Sequence, residues 1–179
     1  MLSAIVFCED QPGGFAARDP TELLARTLAS LVPAAVEGLL TDVWIAGAGG
    51  QSLAVLANGA GCAFAEAEDE AGWIGSAART ARGPDIFLLR CGRAPQPDFI
   101  EEAKDFLISS RTNGHCAAFL RTEPENLFER VVPRFAEVAG VIAPRSAVLA
   151  AAGGFQKIVR FLGPSVTLQT RARRVVTAG

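Results

Sequence analysis

The sequence predicts an α/β fold, with helices packed on a mostly parallel central sheet. Two observations carry this. Short apolar, β-compatible runs alternate with amphipathic stretches through residues 1–110, the pattern of strand–helix–strand units whose helices cover a parallel sheet. The 179 residues contain no internal repeat, no low-complexity segment and no linker long enough to divide them, and that length suffices for a single domain, 1–179, with a substantial core.

The elements follow in order. Ser3–Cys8 is apolar and reads as a buried first strand, and Pro12, Gly13, Gly14 and Pro20 mark a loop after it. Thr21 is placed to cap a helix, because its hydroxyl can accept a bond from a free N–H of the first turn. Leu23, Leu24, Thr27, Leu28 and Leu31 then share one helical face. Asp42–Ala46 is a second strand, Ala48–Gly50 a tight loop, Ser52–Asn58 a helix and Cys62–Ala65 a third strand. Ala71–Arg82 is helical and ends at Gly83-Pro84, after which Asp85–Leu89 is a fourth strand. Pro97–Ser109 places Phe99, Ile100, Ala103, Phe106 and Leu107 on one side, and His115–Leu120 is again a strand. Glu125–Val138 reads as a helix that Pro133 kinks or breaks. Val141 and Ile142 begin a short apolar element, and Val166–Gln169 and Arg173–Thr177 are expected as two final strands.

Half the residues are hydrophobic and a fifth are charged, a globular composition. Membrane spans need roughly 18 or more apolar residues. Val138–Phe155 comes closest, but Pro144 and Arg145 interrupt it, so no transmembrane segment is expected. Met1–Phe7 lacks a basic flank and runs into Glu9 and Asp10, which fits a strand rather than a secretory signal. Cys8, Cys62, Cys91 and Cys116 are far apart and none forms a C-x-x-C pair. They read as reduced thiols in or near a core, which fits a cytoplasmic protein. His115 has no neighbouring partner for a triad or a metal site.

Net charge is −2 but unevenly spread. Residues 138–179 carry Arg145, Lys157, Arg160, Arg171, Arg173 and Arg174 and no acid, while residues 1–137 are acidic on balance. An acid-free segment of this kind favours phosphate, weak peripheral contact with an anionic membrane surface, or the protein's own acidic part; a solvated basic face is the simpler reading. No nucleic-acid partner is expected.

Several segments, taken in order, resemble a small family 2 glycosyltransferase of the GT-A (nucleotide-diphospho-sugar transferase) fold. Leu24-Ala25-Arg26-Thr27-Leu28-Ala29-Ser30-Leu31-Val32-Pro33, continuing to Asp42-Val43-Trp44-Ile45, is similar to the first helix and second strand of bacterial members. Asp85-Ile86-Phe87-Leu88-Leu89, followed by Pro97-Asp98-Phe99-Ile100, resembles the stretch leading into and out of their metal motif. Ile142-Ala143-Pro144-Arg145 and Gly153-Gly154-Phe155 look like the segment before the catalytic base, and Ile158-Val159-Arg160-Phe161-Leu162-Gly163 like the helix after it. The resemblance implies a three-layer, GT-A/Rossmann-like sandwich and an origin in nucleotide-sugar chemistry.

Three departures make the chain a degenerate member of the pattern. The acid expected after the second strand is missing from Ala46-Gly47-Ala48-Gly49-Gly50. The metal-binding carboxylates expected after the fourth strand are replaced by Arg90-Cys91-Gly92, with Arg93 next and no acid until Asp98. The acidic pair expected after Gly153-Gly154-Phe155 is replaced by Gln156 and Lys157. Transfer from a nucleotide sugar builds charge on the leaving diphosphate, which a metal stabilises, and the acceptor hydroxyl needs a base worth ~10²–10⁴-fold. Arginine can put a fixed charge and hydrogen bonds on a diphosphate, which makes Arg90 and Arg93 candidate phosphate contacts. Nothing at the matched positions replaces the base, and no metal cofactor is expected.

Other constellations are weaker. Gly47, Gly49 and Gly50 resemble half of a dinucleotide fingerprint, with Ser52 in place of the third glycine and Glu66 and Glu68 near the offset of a ribose-binding acid. They are candidate nucleotide contacts, or a plain strand-to-helix turn. Glu9 and Asp10 follow the first strand at the edge where α/β proteins bind ligands, and are nucleotide candidates or a solvated loop. Glu66, Glu68, Asp69 and Glu70 would need to converge to hold a metal, and consecutive loop acids usually point into water. Trp44 and Trp73 read as packing residues. The function readings are three: a non-catalytic domain binding a nucleotide, a sugar or a protein partner; a metal-independent transferase in which arginine replaces the metal; and a Rossmann-type dinucleotide binder.

Overall fold

Strand β1 (Leu2–Phe7) is buried along its whole length because both of its faces are covered. Leu2, Ala4 and Val6 join one apolar cluster and Ile5 and Phe7 another. The structure, a computed structural model, describes residues 1–8, 20–48, 51–113, 117–124, 131–132, 136–162 and 165–175. In chain order the remaining elements are α1 (Pro20–Val36), β2 (Leu40–Gly47), α2 (Gln51–Gly59), β3 (Ala63–Glu66), α3 (Glu70–Thr80), β4 (Asp85–Arg90), β5 (Arg93–Pro95), α4 (Phe99–Asn113), β6 (Ala117–Thr122), β7 (Val138–Pro144), α5 (Arg145–Ala151), α6 (Phe155–Phe161) and β8 (Ser165–Arg174).

The strands form one sheet in the order β3-β2-β1-β4-β7-β6-β8-β5. β3, β2, β1 and β4 run parallel, and β7 enters antiparallel between β4 and β6. β8 is parallel to β6, and β5 closes the far edge antiparallel to β8. Leu24, Leu31 and Ala34 of α1, Ala57 of α2, and Ile100, Ala103 and Phe106 of α4 pack on one face. Trp73, Ile74 and Ala77 of α3, Val148 of α5, and Phe155 and Ile158 of α6 pack on the other. This is the three-layer α/β arrangement with a mostly parallel sheet that the sequence predicts. No described helix is long and apolar enough to cross a membrane.

The amino edge of the sheet is tied by a polar network. The Ser3 hydroxyl donates to Asp42 Oδ1 and accepts from the Gly83 N–H at 2.7 Å. Asp42 Oδ2 accepts from Trp44 Nε1 at 2.9 Å and from the Arg82 N–H at 3.1 Å. Asp42 and Trp44 therefore serve the fold at the end of the sheet away from the carboxyl edge.

Several elements differ from expectation. Helix α1 starts at Pro20, so Thr21 lies inside the first turn rather than capping it; proline's fixed φ and missing N–H suit it to that turn. The two expected final strands are one strand, β8. Leu168, Thr170 and Ala172 are buried while their neighbours are more exposed, a period-2 alternation that runs through the polar stretch instead of breaking there. The helix expected over Glu125–Val138 lies mostly outside the described residues, and Val138 itself begins β7. β5, three residues long, was not foreseen.

Gly140 sits in β7 against β4, where an added Cβ would meet the Leu88 carbonyl oxygen at 2.7 Å and Phe87 Cε2 at 3.0 Å. Backbone cannot yield as a side chain can. Gly140→Ala is therefore expected to destabilise the fold by about 1–3 kcal/mol in urea denaturation; an unchanged midpoint would contradict this packing.

Candidate functional site

The carboxyl edge of β1 and β4 is where an open α/β sheet presents ligands. In this chain it is built around arginine. Arg90, the last residue of β4, is only 8% exposed. Its guanidinium lies 5.0 Å from the centroid of the Phe155 ring, and that ring packs on Phe7 with centroids 4.8 Å apart. Nη1 of Arg90 is ion-paired with Glu137 Oε1, and Nη2 of Arg93 with Glu137 Oε2 at 2.6 Å. One carboxylate thus bridges two guanidiniums, and the Phe155 ring face adds a favourable surface for the buried one.

The turn carrying these residues is held from three sides. The Cys91 N–H donates to the Phe7 carbonyl at 2.9 Å, and Val175 N–H donates to the Gly92 carbonyl at 2.9 Å. The Gly92 N–H donates to Thr27 Oγ1 at 2.9 Å, while the fully buried Thr27 hydroxyl donates to the Leu23 carbonyl at 2.8 Å. Gly92 has φ +80°, a left-handed conformation that glycine adopts without a Cβ penalty. The Cys8 thiol hydrogen-bonds Cys91, and this contact is the main cause that lowers the Cys91 thiol pKa; burial opposes it, while the Gly92 backbone and Thr27 hydroxyl assist. Burial instead pushes the Cys62 thiol up.

More cations follow along the same edge. Arg121 of β6 pairs in register with Arg171 of β8, and Arg93 with Arg174. Burial and the adjacent Arg171 both work against the Arg121 charge. Arg121 Nη1 donates to the Ala136 carbonyl at 2.6 Å, and its buried Nε has no hydrogen-bond partner. The acid-free segment is not one surface. Arg145 lies at the opposite edge, donating to the Ala81 carbonyl at 2.5 Å, and Lys157 and Arg160 belong to α6.

The other sequence candidates that the structure describes are dispersed. Glu9, Asp10, Gly49, Gly50, His115 and Cys116 lie outside the described residues. Gly47 ends β2, where an added Cβ would meet Leu53 Cδ1 at 3.3 Å, so its smallness lets α2 approach the sheet. The acidic cluster does not converge. Glu66 and Glu68 are exposed, Asp69 caps α3 by accepting from the Gly72 N–H at 2.8 Å, and Glu70 accepts from the Phe155 N–H at 2.5 Å. Trp73 is buried and its Nε1 donates to the Ala67 carbonyl at 2.8 Å. The residue that sequence reasoning missed is Glu137. Its one signal is that it is the last acid in the chain.

The donor set at the end of β4 does not fit a divalent metal. The turn supplies guanidiniums and a thiol, and the carboxylate against them is held by both guanidiniums. Among the described residues no group of three or more His, Cys, Asp or Glu side chains is placed to hold one. Glu137→Ala strips a largely buried cation of a counter-charge. Breaking a buried pair costs ~3–5 kcal/mol and an exposed one ~0–1; Glu137 is 42% exposed, so a loss of about 1–3 kcal/mol is expected from urea melts, and no loss would show that the bridge is not structural.

No protein-family model and no curated protein matches the chain. Solved structures do. Glucosyl-3-phosphoglycerate synthase from Mycobacterium tuberculosis, in complex with Mn²⁺, uridine diphosphate and phosphoglyceric acid, superposes with a TM-score of 0.65 at 12% identity, over 93% of this chain and 67% of that one. The same synthase with Mn²⁺, uridine-diphosphate-glucose and phosphoglyceric acid gives 0.66 at 12%, over 99% and 72%. A structure described as a mycobacterial protein gives 0.63 at 11%, over 99% and 68%. At such identities the likeness is one of fold: this chain has the GT-A-like fold of nucleotide-sugar glycosyltransferases.

Proposed function

We propose that this protein is a non-catalytic binding domain on a nucleotide-diphospho-sugar transferase scaffold, and that it takes the diphosphate of a nucleotide or nucleotide sugar without a metal. The observation that carries the reading is the Arg90–Glu137–Arg93 bridge at the end of β4, where a metal-dependent transferase would need carboxylates free to bind its cation. The mycobacterial synthase that shares the fold holds uridine diphosphate together with Mn²⁺. With fixed guanidiniums at this edge, the charge of a diphosphate would be met by charge-assisted hydrogen bonds instead. Glu137 then acts as an internal counter-ion that an incoming anion displaces, and Arg121 and Arg171 extend the field beyond it.

Binding is favoured over transfer because Gln156 and Lys157 follow Gly153-Gly154-Phe155, so neither of those positions offers a carboxylate to take the acceptor's proton, and the nearby Glu70 carboxylate is engaged by the Phe155 N–H. Metal-independent transfer is the second reading, supported by the same arginines, which could stabilise a leaving diphosphate. Turnover separates the two.

Thermal unfolding in EDTA is expected to shift upward with at least one of UDP, GDP and CDP, and the shift should shrink as salt rises. Glu137→Gln should tighten that binding by about 2–5-fold, the worth of one partly exposed charge of roughly 0.5–1 kcal/mol. The corresponding nucleotide sugars should bind without being consumed. A shift that needs Mn²⁺ would refute the metal-free reading, and sugar release in EDTA would replace it with the transferase one.

A further inference from the structure

We propose that Cys8 and Cys91 form a dithiol site that closes reversibly to a disulfide by exchange with small disulfides of the oxidised-glutathione class. Phe7 and Arg90 are paired in parallel register, and the Cys91 N–H donates to the Phe7 carbonyl at 2.9 Å. The next residues along the two strands, Cys8 and Cys91, therefore leave the sheet side by side, and both pack against the same apolar cluster. Their thiols hydrogen-bond one another. Neighbouring strands lie about 4.8 Å apart, inside the roughly 4.4–6.8 Å between Cα atoms that a disulfide spans. Both residues are half-buried rather than enclosed, so a small disulfide can approach this end of the sheet. The backbone on either side is already pinned, by the Cys8 N–H on the Ala46 carbonyl and the Gly92 N–H on Thr27.

The exchange balances without another reactant. Cys91 loses its proton and its sulfur attacks one sulfur of oxidised glutathione, forming the mixed disulfide and expelling a first glutathione thiolate, which takes up a proton. The Cys8 sulfur, deprotonated in turn, attacks Cys91 Sγ, forms the Cys8–Cys91 bond and expels the second. Two protein thiols are oxidised and one glutathione disulfide is reduced to two thiols. The hydrogen bond from Cys8, which holds the Cys91 thiol below its usual range, favours Cys91 as first attacker. Cys91 lies between Arg90 and Arg93, so closure would fasten the turn bearing both arginines to the end of β1.

The test uses the whole protein equilibrated across ratios of reduced to oxidised glutathione, blocked with N-ethylmaleimide, digested with trypsin and read by mass spectrometry. Cleavage leaves Cys8 on residues 1–18 and Cys91 on residues 91–93, so the linked pair has a unique mass. The expected result is that this linked peptide rises with oxidised glutathione and disappears with dithiothreitol, while two of the four thiols are lost to a thiol reagent under denaturing conditions. Cys8→Ser should trap a glutathione adduct on Cys91. Adducts on wild-type Cys91 without the link, a link involving Cys62 or Cys116 instead, or four thiols persisting in fully oxidised buffer would each overturn the proposal.

Discussion

A guanidinium at the end of a central strand has to be satisfied where it stands. β4 is flanked by β1 and β7 and covered on both faces, so Arg90 emerges from an apolar surround with little water to solvate it. Taking a charge out of water costs several kcal/mol unless a partner answers it. Glu137 and the ring of Phe155 supply that answer, and each arrives from a different part of the chain. Glu137 comes from the entry to β7 and Phe155 from the start of α6. Among the described residues, the carboxyl edge is therefore organised by one buried cation rather than by a set of converging acids.

The consequence for chemistry follows from what the arrangement leaves available. A carboxylate clamped between Arg90 and Arg93 is a poor ligand for a cation, because both of its oxygens are already charge-paired. In the proposed reading an anion takes over the hydrogen bonds that Glu137 now accepts, with Arg121 and Arg171 nearby. The turn that carries Arg90 and Arg93 is tied at three backbone groups, by Thr27, Phe7 and Val175. A ligand would meet preformed charge there, and little ordering would be needed to bind it.

The fold was largely legible because its strands are buried on both faces. Runs such as Ile86–Leu89 are apolar whichever way they are read, and the alternation with helices points to a parallel sheet. Legibility failed where polarity and periodicity compete. The sequence suggests two strands, Val166–Gln169 and Arg173–Thr177, with a gap at Thr170–Ala172, although Leu168, Thr170 and Ala172 keep the inward positions of a single strand. The candidate site was half legible. Arg90 and Arg93 announce themselves by standing where acids are expected. Their partner Glu137 is 47 residues from Arg90, beyond any local pattern, and Phe155 is farther still. Likewise, nothing in the spacing of Cys8 and Cys91 signals that neighbouring parallel strands end with them side by side.

In the proposed reading, cations rather than a metal hold charge at this edge. The decisive experiment is titration of Mn²⁺ into the protein by calorimetry, alone and with uridine diphosphate present. No saturable heat from a protein-borne Mn²⁺ site is expected in either experiment, beyond what the nucleotide itself binds in a blank. A stoichiometric Mn²⁺ site that persists above that blank would contradict it.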